Sequence, residues 1–289
     1  MKQFIKKIAF YVLMSLLLFN GIAFLSLQIL GKSNFYKPEF VKNTVIDTNF
    51  DYVVLGSSTG LTTLDTKLID SITNKKGLNI SMDDTSLNSH FLMLQHFKAS
   101  NKSAKCLVLA VTPWDLKNKN PKLNNNDYRF LPYVQEDYVF DYYNELETKT
   151  FKPLSFSRYF PIIGVSYYNT EIFYPSIISF FNSNKRNHFD DKGNFCYPTN
   201  GKPNKLEIDE IEVVINNPFY FKIKEFCSQN NIKLRIYISP IFKTKLKIHD
   251  DSIIDQSNFL IDEEMFYDNI HVNQIGRRKC SIEFAKYLK

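Results

Sequence analysis

Residues 51–60 read DYVVLGSSTG. Tyr52, Val53, Val54 and Leu55 make a short uncharged β-rich run, and Gly56 ends it. A serine just past such a strand, with a helix to follow, stands at the carboxyl edge of a sheet, where open α/β folds bind their ligands. Glycine in such a turn permits unusual backbone angles and close approach of a substrate. The amides that open the next helix are free to face an oxyanion. A plain helix-capping Ser/Gly turn has the same look, so this stretch decides the fold before it decides the chemistry.

Outward from it the rhythm repeats. Residues 63–72 have helical character, and Leu78, Asn79 and Ile80 form a second short strand. Residues 85–100 set Leu87, Phe91, Leu94 and Phe97 at helical spacing behind Asp83, Asp84 and Thr85 as caps. Residues 106–111 (CLVLAV) are apolar on both faces, as in a central parallel strand covered by helices. Residues 234–238 are a fourth strand ended by Ser239 and Pro240, and residues 274–288 a last helix anchored by Ile275, Ile282, Phe284 and Tyr287. Alternation of strand and helix predicts an α/β domain on a mainly parallel sheet.

Residues 117–205 break the rhythm and read as one long insertion. It starts at KNKNPKLNNND, ends in a polar, turn-rich stretch, and carries two aromatic helical patterns, residues 137–147 and 155–181. The chain holds 26 Phe and 17 Tyr, and the insertion is rich in both. The expectation is that these rings pack the insertion onto the core; the alternative is that they line a substrate groove.

The apolar content is also uneven. Residues 8–30, from Ile8 to Leu30, run IAFYVLMSLLLFNGIAFLSLQIL, 23 residues without a charge. At about 1.5 Å per residue this crosses a hydrocarbon core of about 30 Å. Lys2, Lys6 and Lys7 precede it, so the N-terminus is expected to stay cytoplasmic and the remainder to be exported. A cleaved signal peptide is the rival reading, but the apolar run is long for one and ends in Leu-Gln-Ile-Leu-Gly-Lys, without the small residues of a cleavage site. The expected organisation is a cytoplasmic tip and anchor over residues 1–32, a stalk over 33–50, and the sheet domain over 51–289. The protein is then a single-pass protein of the cytoplasmic membrane with an extracytoplasmic domain, periplasmic or on the cell surface.

Composition narrows the function. Hydrophobic residues at 44% and charged residues at 23% exclude wholesale disorder. The net charge of +6 comes without a long Lys/Arg cluster, and three of its lysines flank the anchor, so no nucleic-acid partner is expected. Four cysteines exclude a disulfide-built miniprotein. Cys106 reads as a strand residue and Cys280 as a helix residue, whereas Cys196 and Cys227 are left open as a pair. No Cys/His grouping suggests a metal, no cofactor motif occurs, and His90 and His96, six apart on one helix, read as structural or surface residues.

The remaining constellation is Asp268-Asn269-Ile270-His271, just before the last helix. A spacing of three lets a carboxylate and an imidazole of one turn point the same way. Asp268 can hold one ring nitrogen while the other takes a proton from a serine.

Taken together, these segments resemble the SGNH (GDSL-like) hydrolase family, over about 150 of 289 residues in four separated blocks. Gly56-Ser57-Ser58 is similar to that family's Gly-Asp-Ser, with Ser57 in the aspartate place and Ser58 as nucleophile. YDNIHVNQIGRRKCSIEFAKYL, residues 267–288, is similar to its last block, which implies His271 as general base and Asp268 as its orienting acid. Residues 79–85 are similar to its second block, which implies the backbone N–H of Asp84 as an oxyanion donor beside that of Ser58; Asp84 stands where a glycine is usual. The third block departs: Thr112-Pro113-Trp114-Asp115 follows the strand where Gly-x-Asn-Asp is usual, so the oxyanion-donating asparagine is missing, a change worth about 3–4 kcal/mol of transition-state stabilisation.

The resemblance implies a three-layer α/β/α flavodoxin-like fold and a serine esterase or O-acyltransferase acting on acyl, above all acetyl, esters of a cell-surface glycan. Membrane-anchored relatives of this kind work in surface-polysaccharide O-acylation, which brings a membrane O-acyltransferase into view as partner. A catalytically inactive accessory or glycan-binding protein and a lipase-type esterase stay open as alternatives. Gly56 to Gly60 also matches the G-x-S-x-G elbow of α/β-hydrolases. A single exported strand before Ser58, and an acid three residues from the histidine, favour the SGNH reading.

Overall fold

A computed structural model describes residues 1–250 and 252–288 of the chain; Lys289, where the expected sheet domain ends, lies outside the described residues. The chain opens with α1 (Lys2–Gly31) and α2 (Lys37–Asn43), then β1 (Asn49–Phe50), β2 (Tyr52–Gly56), α3 (Ser58–Thr63), α4 (Thr66–Thr73) and β3 (Gly77–Asn79). It continues through α5 (Leu87–Ala99), β4 (Ser103–Ala104), β5 (Cys106–Val111), α6 (Pro113–Lys117), α7 (Asp137–Leu146), α8 (Pro153–Phe156), α9 (Pro161–Tyr167) and α10 (Asn169–Phe181). The last part holds β6 (Asp209–Glu212), α11 (Pro218–Gln229), β7 (Lys233–Ile238), β8 (Thr244–Lys247), β9 (Ile253–Asp255) and α12 (Gln274–Ala285).

Two compact units result. One is Val45–Asn126 with His188–Lys289. Its centre is a five-stranded sheet in the order β3-β2-β5-β7-β9, and every strand pair among the described residues is parallel. The fold is therefore mixed α/β on a parallel sheet. β2 and β5 are buried at every position, which is why they read as unbroken apolar runs rather than as alternation. On one face Tyr52, Val54, Val108, Ala110 and Tyr237 pack with Leu64, Ile69, Phe284 and Ala285. Tyr52 is fully buried, and its hydroxyl donates to Asp70 at 2.8 Å, so the one polar atom of that ring is satisfied. α5 and α11 pack together through Phe91 against Phe219 and Phe226, and they touch β2 and β7 respectively.

The second unit is Met1–Thr44 with Asp127–Asn187. Residues 33–41, read as stalk, are buried, and part of them is the helix α2. The aromatic pattern over 155–181 is three helices rather than one. Pro153 and Pro161 open α8 and α9 at positions that need no amide donor, and α10 restarts at Asn169. Tyr133, Tyr142, Tyr143 and Phe130 are buried within this unit, but Tyr174, Phe180 and Phe181 are exposed, contrary to the expectation that the insertion's rings turn inward. The compact part of the insertion is narrower than residues 117–205. Its flanks fold with the sheet: Asn79 N–H donates to the Lys192 carbonyl at 2.9 Å, and Tyr197 forms a parallel bridge with Asn273.

Candidate active site

Gly56 closes β2 directly beside Ala110 of β5. A Cβ on Gly56 would lie 2.4 Å from the Ala110 carbonyl oxygen, so no side chain fits. Ser57 then takes the extended N-cap position and Ser58 becomes the first residue of α3. Ser58 thus sits at the carboxyl edge of a central parallel strand, on a helix start whose amides lack intrahelical acceptors.

His271 reaches it from the other end of the chain. Asn273 is fully buried and caps α12 by accepting from the amides of Ile275 and Gly276, while its own amide donates to the Glu264 carbonyl at 2.7 Å. That pins the end of the loop carrying His271. Asp268 Oδ1 accepts from the amides of Ile270 and His271, both at 2.9 Å, which closes the turn and brings carboxylate and ring together.

The three side chains form a series. His271 Nε2 is 2.7 Å from Ser58 Oγ, and His271 Nδ1 is 2.8 Å from Asp268 Oδ2. Burial pushes the Asp268 carboxyl up, but the His271 ring and the two turn amides outweigh it, and the carboxyl lies below its ordinary range. An ionised Asp268 can only accept, so Nδ1 carries the ring proton. Nε2 is then the acceptor and the Ser58 hydroxyl the donor. In that tautomer His271 can receive the serine proton while Asp268 steadies the imidazolium.

Tyr197 flanks the series. Its ring stacks on Tyr267 with centroids 4.3 Å apart and lies 5.1 Å from the His271 ring. Burial raises the phenol's pKa, and the charges of Asp268 and Asp83 push the same way, which places Asp83 at the border of the site.

The loop that follows β3 is held against the serine turn. Ile80 N–H donates to the Val54 carbonyl at 2.9 Å and Met82 N–H to the Gly56 carbonyl at 3.0 Å. Asp84 has φ of 55°, in the left-handed region, which a short polar side chain such as aspartate tolerates. Two asparagines fasten this loop. Asn126 Nδ2 donates to the Asp83 carbonyl at 2.8 Å, and Asn125 Nδ2 to Asp84 Oδ2 at 2.8 Å. Sequence reading took them only as the polar start of the insertion, and an asparagine run is no signal for a long-range clamp.

Residues 112–115 form a capping box. Thr112 Oγ1 accepts from Asp115 N–H at 3.2 Å, and the Thr112 N–H donates to Asp115 Oδ2 at 3.1 Å. Burial raises the Asp115 pKa, against the opposing pull of its Thr112 bonds. Trp114 is 49% exposed at the carboxyl edge of β5, so it does not serve the core.

The other titratable candidates are structural. His90 is fully buried and burial alone lowers it to about 3, with Nε2 3.3 Å from Thr85 Oγ1; His96 is buried too. All four cysteines are free, Cys196 and Cys227 included. Among the described residues no His/Cys/Asp/Glu group has the arrangement to hold a metal ion. No family model matches the chain, and no curated protein matches it in sequence.

Proposed function

We propose that the chain is a membrane-anchored, SGNH-like serine esterase or O-acyltransferase that acts on acyl esters, acetyl above all, of a cell-surface glycan. The observation that carries this reading is the hydrogen-bonded series Ser58–His271–Asp268 at the carboxyl edge of a parallel sheet. Helices packed against the sheet support the three-layer arrangement that the resemblance implies. Ser58 Oγ would attack the ester carbonyl as its proton passes to His271 Nε2. The backbone amides of Ser58 and Asp84 would bind the oxyanion, and His271 would return the proton to the leaving alkoxide. The acyl group would then pass from Ser58 to water or to a sugar hydroxyl. The exposed indole of Trp114 at the same sheet edge offers a face for a sugar ring, which favours a glycan over a purely lipid substrate.

α1 is 30 residues long, and its most apolar 18-residue window has a mean hydropathy of 2.2. It would hold the sheet unit outside the cytoplasmic membrane, beside a membrane O-acyltransferase as partner. The capping box at Thr112–Asp115, in place of the usual asparagine donor, is the observation that favours the second reading, a non-catalytic glycan-binding accessory.

The deciding experiment treats the full chain in detergent micelles with a fluorophosphonate probe and with p-nitrophenyl acetate. Labelling and acetate release, both absent in Ser58→Ala, support the enzyme. Absence of both in the wild-type chain, with glycan binding retained, supports the accessory.

A further inference from the structure

α10 is amphipathic in the reverse sense. Its buried face is Ile172, Pro175, Ser176 and Ser179; its exposed face is Phe173, Tyr174, Ile177, Phe180 and Phe181. Both sets follow helical spacing, so this is a division of faces rather than scattered exposure. A helix on a water-facing protein hides its large apolar groups and shows its small polar ones. α10 does the opposite, and the inversion needs a cause.

The cause lies in its neighbour. α10 packs along α1 within one unit. The buried residues of α1 are Ala23, Ser26, Leu27 and Leu30, again one stripe with small residues in it. Two neighbouring helices that carry Ala and Ser on their buried faces while turning Phe, Ile and Leu outward show the packing logic of helices in lipid, where apolar surface needs no hiding. Two of these hydroxyls obey the same logic: Ser26 donates to the Ile22 carbonyl at 2.9 Å and Ser176 to the Phe173 carbonyl at 2.6 Å, each inside its own helix.

α9 is tied to the same span at depth. Asn20 is a polar residue amid the apolar run of α1. Its Oδ1 accepts from Ile162 N–H, an orphan amide of the first turn of α9, at 3.2 Å. Asn20 lies ten residues before Leu30, about 15 Å down the helix. At the other end Asn34 N–H donates to the Ser183 carbonyl at 2.8 Å. The α9–α10 pair therefore runs beside α1 from near Asn20 to just past its end. Between residues 159 and 181 the only charge is Glu171; Lys185 and Arg186 follow directly.

We infer that α9 and α10 form a second membrane element, lying in the outer half of the bilayer and its headgroup zone, with the Phe173–Tyr174–Ile177–Phe180–Phe181 face in contact with lipid. The inference rests on the proposed span of α1. Tyr174 has the amphipathic ring that interfacial belts favour, the phenylalanines suit the acyl region beside it, and Lys185 would meet the headgroups.

The test uses the single native tryptophan. In a Trp114→Phe background, tryptophan is placed in turn at Leu16, Tyr174 and Phe180, and each full chain is put into nanodiscs of phosphatidylcholine with or without brominated acyl chains. The expected result is about twofold or greater quenching by bromine at all three positions. Quenching at Leu16 alone, with Tyr174→Trp and Phe180→Trp emitting as in water, overturns the second element and leaves the span of α1 intact. Quenching at Leu16 alone, with Tyr174→Trp and Phe180→Trp blue-shifted, also overturns it and assigns the face to a second copy or another protein. No quenching at Leu16 or at either face position removes the span and this inference with it.

Discussion

Ser58 and His271 are 213 residues apart in the chain, and their Oγ and Nε2 atoms are 2.7 Å apart in the structure. Nothing local brings them together. The register of β2 on β5 and the Asn273 cap of α12 do so from opposite ends of the sheet unit. The proposed chemistry therefore depends on parts of the fold that touch neither residue.

Asp268→Asn separates orientation from folding. The amide oxygen still accepts from the Ile270 and His271 amides, so the turn should survive. Its NH₂ would face Nδ1 and force the other tautomer, leaving Nε2 unable to accept from Ser58. The expected loss is about 10³–10⁴ in kcat for p-nitrophenyl acetate, with Tm close to wild type. A fall of less than tenfold would remove Asp268 from the mechanism.

Asn126→Ala tests the loop clamp. Asn126 touches neither Ser58 nor His271, yet holds Asp83 and so the peptide that presents the Asp84 amide. Loosening this amide, the proposed oxyanion donor, should lower kcat by about tenfold to a hundredfold with KM nearly unchanged. An equal change in Tm and no change in kcat would make the clamp merely structural.

Trp114→Ala asks what the substrate is. If a sugar stacks on the indole, KM for an acetylated glycan should rise about tenfold, while kcat/KM for p-nitrophenyl acetate stays within about twofold. Parallel loss for both substrates would place Trp114 in the packing of the site instead.

Glu39 predicts a pH dependence of stability in the other unit. Burial pushes its carboxyl up to about 8, against the opposing pull of its own backbone amide, Arg129 and Lys42. An unfolded glutamate releases its proton near pH 4.3, so between about 4.3 and 8 the folded state binds more protons than the unfolded one. The contribution of Glu39 is fully present below pH 4 and is lost as pH rises towards 8. Melting of the full chain in detergent should show Tm falling from pH 5 to pH 8, and Glu39→Gln should flatten that slope. An unchanged slope in the variant would locate the dependence elsewhere.

Much of the sheet unit is legible in the chain because its central strands are buried on both sides and therefore read as uninterrupted apolar runs. Ser58 and the Asp268–His271 turn are legible because each is a local motif beside an element end. What escapes is what arrives from afar or is very short. β9 is three residues long and joins as an edge strand. Tyr197 reaches His271 through its bridge to Asn273 and its stacking on Tyr267, and Asn125 and Asn126 act on a loop some forty residues earlier. α10 escapes for a different reason. Its periodicity is visible, but which stripe faces protein is fixed by the solvent, and a hydropathy pattern does not say whether that solvent is water or lipid.

The joint between α1 and α10 bears on how the molecule comes into being. The helix made first receives its packing partner only after the first three strands of the sheet have been synthesised. Until then the Ala23–Ser26 stripe has no neighbour, so this unit closes late and through long-range contacts. The same joint makes α1 costly to shed. A peptidase that cut behind it would remove one wall of a folded body and uncover Ser176 and Ser179, on a helix whose aromatic face is already exposed.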